Sequence, residues 1–330
     1  MKIGFIYSGF RLSKGNGIVS QALTWKRILE EEGHEVVMCH PWEFNDYSTF
    51  DVLQIFSFDN STESLVNELS KKNKNIFIAP ILDPDYSLFN CKLRSYCAIP
   101  KLRLANRFSS LRRVRNRVKG ILVRSNFEKD YIVKSFGYKA EQCHIVMLSS
   151  GVKTTTDFNL NSREPFCFHM SFVTDERKNV KRLIDASVKY NFQLVIAGGI
   201  HFEHERSAFE SWIKGKSNVK YLGYISEEKK IELYRTAKVF ALPSLNEGVG
   251  LVALEAAAYG CDIVITSVGG PKEYYNGLAK TVDPYNIDEI GVGVREFLDG
   301  QTYQPNLSKM ITTQLSDKTV AEKLLRIYTK

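Results

Sequence analysis

Short apolar runs alternate along the chain with segments in which apolar residues recur every three or four positions. The runs have the length of strands buried on both faces, and the periodic segments have the pattern of helices. This alternation predicts an α/β protein with parallel sheets covered by helices. In the first half it predicts strands at residues 3–7, 35–39, 52–57, 75–82, 120–125 and 144–148, with helices at 18–32, 61–72 and 127–136.

The polar stretch 153–165 interrupts the pattern and is predicted to link two domains. We therefore expect two doubly wound Rossmann-like domains, residues 1–152 and 153–315, that face each other across a cleft. Ligands bind such sheets at the carboxyl ends of their strands. In the second half the pattern predicts strands at 166–173, 192–197, 219–222, 238–244 and 279–283, with helices at 180–190, 227–237 and 318–328.

Composition fits this division, because 330 residues with 44% apolar content suit two domains better than one. The six cysteines show no C-x-x-C spacing, and several lie in apolar runs. We therefore expect reduced, buried thiols and a cytoplasmic protein. No uncharged run approaches the roughly 18 residues of a membrane span, so secretion and membrane spanning are disfavoured.

The net charge of +8 is carried almost wholly by the first half, where residues 1–150 hold +7 and residues 151–330 hold +1. Residues 86–127 contain eleven basic side chains and no acidic one. Within this run we predict an amphipathic helix at 101–119, because its apolar residues fall on one helical face. Those residues are Leu104, Phe108, Leu111, Val114 and Val118.

Two interpretations of this basic helix stay open. It either binds an anionic membrane surface, where each Lys or Arg contributes on the order of 1 kcal/mol, or is a solvated helix packed on its own domain. No nucleic-acid partner is expected, because no recognisable binding module accompanies the charge. The residues predicted to face a membrane are Arg107, Arg112, Arg113, Arg115, Arg117 and Lys119.

The stretch 241–275 combines a strand, a polar turn at Asn246, Glu247 and Gly248, an alanine-rich helix and a second strand. The first backbone N–H groups of such a helix lack intrahelical partners, and the positive end of the helix dipole favours an anion held against them. The helix itself carries a second acid, Glu255. We therefore predict a phosphate-binding helix start with two carboxylates close to it.

This stretch resembles the nucleotide-sugar site of family 4 glycosyltransferases, which have the GT-B fold. The resemblance covers a Pro-Ser pair, a Glu-Gly-x-Gly turn, a second glutamate eight residues after the first, and a Gly-Gly-x-x-Glu motif at Gly269, Gly270 and Glu273. It implies a retaining glycosyltransferase that moves a sugar from a UDP- or GDP-linked donor to a hydroxyl of a glycan or lipid-linked glycan. Cell-envelope polysaccharide or lipopolysaccharide synthesis is the implied setting. The nucleotide sugar is then a substrate, and no cofactor or metal ion is expected.

The resemblance also implies roles for individual residues. Glu247 would orient the hydroxyl groups of the donor sugar, and Glu255 would bind the ribose hydroxyls. No general base stands out, because the leaving phosphate is usually described as helping to take the acceptor proton in this family. Backbone groups that would contact sugar and phosphate belong to Gly248, Val249, Gly250 and Leu251.

A second motif begins at Asp175 and resembles the family's Lys-Asn or Lys-Gly step before a Leu-Ile-x-Ala helix. It implies that Lys178 binds the donor diphosphate, whose negative charge grows as the sugar–phosphate bond breaks. The family pattern also has an arginine five residues earlier, where this chain has Val173. Either Arg177 supplies that cation or the site uses fewer charges. The alternative for both cations is a solvated position at a helix start.

The segment Gly223, Tyr224 and Ile225 follows a predicted strand and resembles the family segment whose backbone contacts the nucleotide base. A plain strand-to-helix turn is the alternative interpretation of these three residues.

Two features are assigned to the acceptor side. Gly15, Asn16 and Gly17 lie where the family has a glycine-rich loop near the donor phosphates and the acceptor. Asp83 begins an Asp-Pro-Asp sequence, which is either a proline-fixed turn or the source of an acceptor-orienting or base-like carboxylate. Two carboxylates without further ligands are weak evidence for a metal site.

The predicted function has alternatives inside and outside its class. The same fold serves epimerases and phosphorylases, and a protein that binds the nucleotide sugar without turnover would show the same motifs. We expect a protein that is peripheral on the inner face of the cell membrane. The C-terminal helix, in residues 316–330, is expected to cross back to the first domain, as is frequent in the family.

Overall fold

The computed structural model describes residues 1–7, 17–40, 43–84, 86–97, 106–152, 163–200 and 202–330. It divides the chain into two compact units, one of Met1–Leu148 with Asp317–Lys330 and one of Ser149–Ser316. Each unit contains a sheet of six strands, and every neighbouring pair of these strands is parallel. The predicted α/β class with two doubly wound Rossmann-like domains is confirmed.

The sheet of the first unit has the order β2-β1-β3-β4-β5-β6. Three adjacent interior strands, β3 to β5, are buried along their whole length, as expected for strands covered by helices on both faces. The strands are β1 (Lys2–Tyr7), β2 (Glu35–Cys39), β3 (Val52–Phe56), β4 (Ile76–Ala79), β5 (Gly120–Val123) and β6 (Cys143–Ile145). The helices between them are α1 (Gly17–Glu31), α2 (Thr62–Lys72), α3 (Leu88–Tyr96), α4 (Arg107–Arg113) and α5 (Asn126–Phe136).

The second unit has the strand order β12-β11-β10-β7-β8-β9, the order 3-2-1-4-5-6 of a Rossmann sheet read from its other edge. Its strands are β7 (Glu164–Met170), β8 (Gln193–Ala197), β9 (Val219–Tyr221), β10 (Ala237–Leu242), β11 (Asp262–Thr266) and β12 (Lys280–Val282). Its helices are α6 (Val180–Lys189), α7 (Arg206–Ile213), α8 (Glu227–Thr236), α9 (Leu251–Ala258), α10 (Ile287–Leu298) and α11 (Asn306–Gln314). Of the predicted linker, residues 153–162 lie outside the described part of the chain, and residues 164 and 165 begin β7.

The last helix, α12 (Asp317–Tyr328), packs within the first unit. Nη2 of Arg27 on α1 lies 2.7 Å from Oδ2 of Asp317. At the other end of the helix, the hydroxyl of Tyr328 donates a hydrogen bond of 3.0 Å to Oε1 of the buried Gln54 on β3. The two ends of α12 are thereby attached to different layers of this unit.

The amphipathic helix predicted at 101–119 is wrong in length. Helix α4 ends at Arg113, and residues 101–105, which include Leu104, lie outside the described residues. After the helix the chain turns, with the N–H of Arg117 donating to the carbonyl of Val114 at 2.8 Å. These turns still bury Val114 and Val118. A spacing of three or four between apolar residues therefore did not distinguish a long helix from a short helix followed by turns.

Candidate active site

The candidate active site of the second unit lies where β7 and β10 end. These parallel strands are neighbours at the centre of the sheet. From this point the successive strands β8 and β9 are added on one side and β11 and β12 on the other. The loops that follow them leave from the same carboxyl edge, which is the switch point where doubly wound sheets bind ligands. The first loop carries Arg177 and Lys178, and the second carries Glu247.

These three side chains form one ion-pair cluster. Nζ of Lys178 donates to Oε2 of Glu247 at 2.7 Å, and Nη1 of Arg177 lies 3.5 Å from Oε1 of the same carboxylate. The hydroxyl of Ser244 donates to Oε2 as well, at 3.2 Å. The structure therefore brings together two motifs that are separated by almost seventy positions in the sequence.

Glu247 is a buried carboxylate that stays charged. Only 7% of the residue is exposed, and a buried charge needs a paired partner. Burial alone would raise the pKa of Glu247, but the positive charges of Lys178 and Arg177 outweigh it and the pKa is lowered. The site thus offers an ionised acceptor group next to two cations.

The loop after β7 is held in shape by two polar residues. Asp175 caps the 3-10 turn of Glu176–Lys178, with Oδ1 accepting from the N–H of Arg177 at 2.9 Å. Asn179 has a left-handed backbone with φ of 59°, a conformation open to Asn and Gly, which accounts for the Lys-Asn or Lys-Gly step. Its side-chain amide donates to the carbonyls of Pro243 at 2.9 Å and Pro284 at 2.7 Å.

Gly269 shapes the turn of Glu247 from a third segment. It pairs with Glu247 in an isolated parallel bridge, and the N–H of Gly270 donates to the Glu247 carbonyl at 3.2 Å. The φ of Gly269 is +99°, and a Cβ atom there would lie 2.0 Å from that carbonyl oxygen. Only glycine fits this position, which explains the first residue of the Gly-Gly-x-x-Glu motif.

The predicted donor-binding backbone lies between Glu247 and the start of α9. Gly248, Val249 and Gly250 are buried, and Leu251 begins the helix. A helix start favours negative charge through its dipole and its N–H groups, although in α9 the N–H of Ala253 already donates to the carbonyl of Gly250 at 2.8 Å.

Glu255 does not join the ion-pair cluster around Glu247. On α9 it contacts two residues of α8 instead, with Oε2 lying 2.9 Å from Nζ of Lys230 and 3.3 Å from the hydroxyl of Tyr234. Burial raises the pKa of Glu255, and the charge of Lys230 opposes that rise. Neither Lys230 nor Tyr234 was predicted, because only the packing of α8 against α9 reveals their role.

The segment Gly223, Tyr224 and Ile225 connects β9 to α8. The carbonyl of Gly223 accepts from the N–H of Gly198 at 2.8 Å, which ties the segment to the end of β8. Tyr224 is 86% exposed. Whether this segment contacts a nucleotide base stays a prediction.

His169 near the end of β7 is a buried polar residue that the sequence did not single out. Its Nδ1 lies 2.8 Å from the carbonyl oxygen of Ala241, which can only accept, so Nδ1 carries the proton. Nε2 then accepts from the hydroxyl of Ser171 at 2.7 Å. Complete burial lowers the pKa of His169 to about 4, and the nearby Lys178 adds to this shift.

In the first unit, Asp83 follows β4 and is held by a buried arginine. Nη2 of Arg124 lies 2.7 Å from Oδ1 of Asp83, and its Nε lies 2.9 Å from Oε2 of the buried Glu128. Asp83 is therefore the outer carboxylate of a three-residue network rather than an isolated turn residue. Gly15 and Asn16 lie outside the described residues, as does Asp85, while Gly17 begins α1.

The predicted membrane-facing cations are largely engaged within their own unit. Arg113 pairs with Glu63 at 3.0 Å, and Nζ of Lys119 donates to Oδ1 of Asn75 at 3.0 Å. The remaining contacts are a stack of Arg112 on Tyr96, a cation–π contact of Arg107 with Phe58, and hydrogen bonds from Arg115 to the Arg112 carbonyl and from Arg117 to Asn67.

Metal binding, membrane spanning and the state of the cysteines concern the part of the chain that the structure describes. In that part, no group of three or more His, Cys, Asp or Glu side chains could hold a metal ion. No helix among the described residues is long and apolar enough to cross a membrane. All six cysteines are free thiols, and four of them are buried: Cys91, Cys143, Cys167 and Cys261.

Several known proteins that resemble this chain are glycosyltransferases. Residues 153–314 match the family model of Glycosyl transferases group 1. O-antigen chain mannosyltransferase B of Escherichia coli is 24% identical over 247 residues, which make up 67% of this chain and 61% of that protein. An uncharacterized glycosyltransferase of Methanocaldococcus jannaschii is 31% identical over 166 residues, which make up 46% of this chain and 42% of that protein. The chain thus spans less than two thirds of either relative.

Among solved structures, the Anabaena protein HepE in complex with UDP has a TM-score of 0.74 at 15% identity, and the alignment covers 100% of both chains. A likeness at this identity shows the fold. The second unit thus matches the glycosyl transferases group 1 family over residues 153–314, and the fold of the two Rossmann-like units is GT-B.

Proposed function

We propose that this protein is a family 4 retaining glycosyltransferase that moves a sugar from a UDP- or GDP-linked donor to a hydroxyl of a glycan or lipid-linked glycan. The observation that carries the proposal is the buried Glu247 carboxylate, paired with Lys178 and Arg177 at the switch point of the second sheet. This unit takes the donor. The first unit takes the acceptor.

The two cations have a direct role in bond breaking. As the bond between sugar and phosphate breaks, negative charge builds on the leaving diphosphate, and fixed cations stabilise that charge. Lys178 and Arg177 supply them, and Arg177 stands in for the arginine that the family has at the position of the buried Val173. N–H groups at the start of α9 add to this stabilisation.

The carboxylates orient the donor. Glu247 is ionised and accepts hydrogen bonds from the hydroxyl groups of the donor sugar, and Glu255 accepts from the ribose hydroxyls. Gly223, Tyr224 and Ile225 contact the base. The acceptor proton leaves with the departing phosphate, so the reaction rests on positioning and charge stabilisation rather than on a separate protein base.

One relative and one structural neighbour support the substrate class. The E. coli relative is named as an O-antigen mannosyltransferase, and the HepE structure contains UDP. We therefore propose a hexose donor and a role in cell-envelope polysaccharide or lipopolysaccharide synthesis, with both UDP and GDP as candidate nucleotides.

A peripheral membrane position is the last part of the proposal, and helix α3 supports it better than the basic helix does. Phe89, Leu93 and Tyr96 are 73%, 51% and 49% exposed and are spaced four and three residues apart, so they share one face. Arg112 stacks on Tyr96 with its guanidinium carbon 3.6 Å from the ring centre. An exposed apolar face with an arginine beside it suits the inner face of an anionic membrane.

The functional proposal predicts separable effects of the two glutamates. Glu255→Ala should weaken nucleotide-sugar binding, measured by calorimetry, because it removes the acceptor for the ribose. Glu247→Ala should mainly lower turnover, measured as release of nucleoside diphosphate, because it leaves the sugar unoriented. Glu296→Ala, which removes a half-buried ion pair with Lys280 away from the candidate site, is the control and should behave as wild type. Wild-type turnover in both site variants would exclude the assignment.

A further inference from the structure

Lys230 on α8 is a lysine that the expected donor contacts leave unexplained. Its side chain is only 13% exposed, and its ammonium lies between two carboxylates, 2.7 Å from Oε1 of Glu227 and 2.9 Å from Oε2 of Glu255. A lysine side chain is rarely buried to this extent unless its charge is paired, and Lys230 has two such partners. The neighbouring Lys229 shows the contrast, because its side chain is 45% exposed and pairs with Glu232 on its own helix.

The contacts of Glu255 are one-sided. Lys230 and the hydroxyl of the buried Tyr234 both approach Oε2. Oε1 makes no hydrogen bond to any residue that the structure describes. Two donors thus fix the carboxylate and leave one oxygen for a ligand.

The ammonium of Lys230 also has one hydrogen-bonding group left for a ligand. It has three N–H donors, and the contacts within the described residues, to Glu227 and Glu255, use two of them. Lys230 and Glu255 together therefore offer one free acceptor and one free donor, side by side. A vicinal diol matches this pair, since one hydroxyl can donate to the carboxylate while the other accepts from the ammonium.

We propose that Lys230 and Glu255 recognise the ribose diol of the nucleotide as a pair, with Lys230 positioning the Glu255 carboxylate and completing the contact. This inference rests on the proposed function, in which Glu255 binds ribose. The position of Lys230 supports it, because α8 begins directly after the segment Gly223, Tyr224 and Ile225, which is proposed to contact the base.

The test compares ribonucleotides with their 2′-deoxy analogues by calorimetry. Wild-type protein should bind UDP or GDP about tenfold or more tightly than the matching deoxynucleotide, as expected when a hydrogen bond to a charged group is lost. Lys230→Met should reduce this ratio to near one, whereas Lys229→Met should keep the wild-type ratio. If the methionine variant does not fold in a thermal unfolding check, Lys230→Gln takes its place and should lower the ratio as well.

Several results would overturn the inference. A Lys230 variant with the wild-type ratio, or one that weakens ribo- and deoxynucleotide equally, would reduce Lys230 to a structural residue. A wild-type protein that binds UDP or GDP but does not distinguish the deoxy form would do the same for the pair. Absence of UDP and GDP binding in the wild type would instead refute the proposed function, and this inference with it.

Discussion

Gly269 shows how closely a single residue can control the candidate site. Its backbone touches the carbonyl of Glu247, whose carboxylate is the centre of the ion-pair cluster. Position 277 offers a matched control, because Gly277 also has a positive φ, +81°, but a Cβ there would meet nothing within 4 Å. The two glycines separate backbone strain from a steric clash.

Gly269→Ala should therefore be far more harmful than Gly277→Ala. The control should lose about 1 kcal/mol of unfolding free energy, the cost of a left-handed conformation in a residue with a side chain. Gly269→Ala should lose about 3 kcal/mol, because the clash adds to that strain, and should also weaken UDP or GDP binding. Urea unfolding measures the first effect and calorimetry the second. Equal losses in the two variants would contradict this account of the turn.

His169 predicts a dependence of stability on pH. The pKa of His169, at which the neutral ring takes up its second proton, is about 4 in the folded protein and near 6.5 in the unfolded chain. Unfolding between these pH values therefore takes up a proton. Stability should therefore fall as the pH is lowered through this window, by about 2 kcal/mol at pH 5 from this residue alone. In urea unfolding at pH 7 and pH 5, His169→Gln should show a smaller difference than wild type. An unchanged difference would mean that another group dominates.

At the scale of elements, β4 and α5 of the first unit are joined through Arg124. Its partner Glu128 has a side chain only 2% exposed and also accepts from the N–H of Leu82 at 2.6 Å. Removing one member of a buried pair leaves the other charge without compensation. More exposed ion pairs of the same unit should contribute less to stability, because water screens their charges.

Arg124→Met should consequently destabilise the protein by about 3–5 kcal/mol. Arg113→Met removes the more exposed pair with Glu63 and should cost no more than about 1 kcal/mol. Urea unfolding of both variants tests the difference. A loss below about 1 kcal/mol for Arg124→Met would show that the buried network contributes little.

The success of sequence reasoning also differed between elements. Strands such as β2 and β10 were predicted to within two residues, because a continuous apolar run has one physical explanation in an α/β protein. Helix α3 was not predicted, since its apolar residues Phe89 and Leu93 are exposed and mark no buried face. The overlong basic helix failed for the reason given above, that turns can bury apolar residues at the same spacing as a helix.

For the whole molecule, the assignment of the donor to the second unit rests on sequence motifs, and the assignment of the acceptor to the first unit rests on its charge and on weaker motifs. The motifs at Glu247 and Lys178 predicted a shared site, and the ion pair at 2.7 Å shows them in contact. Lys230, Tyr234 and His169 could not be predicted, because their importance depends on which helix or strand packs beside them. Local motifs therefore predicted the contact between Lys178 and Glu247 at the centre of the candidate site, but not the neighbouring residues that hold its side chains.

The exposed face of α3 predicts binding to vesicles. The double variant Phe89→Ser, Leu93→Ser should sediment less with vesicles of phosphatidylcholine and phosphatidylglycerol than wild type, because it removes the apolar area that enters the interface. Leu23→Ser, a change at a residue that is 52% exposed on α1, should bind as wild type does. Equal sedimentation of all three proteins, or none in the wild type, would remove α3 as a membrane contact.

The proposed reaction is transfer of a sugar from a nucleotide donor at the Glu247 and Lys178 site. Its most direct test is phosphorus NMR of purified protein with UDP-glucose, UDP-galactose, UDP-N-acetylglucosamine and GDP-mannose. The wild type should release the nucleoside diphosphate from at least one of these donors. Lys178→Met should slow that release by about 100-fold or more, because it removes a cation that stabilises the leaving group. Release at the wild-type rate by this variant would exclude Lys178 from the reaction. No consumption of any donor, together with no thermal stabilisation by any of them, would exclude nucleotide-sugar transfer by this protein.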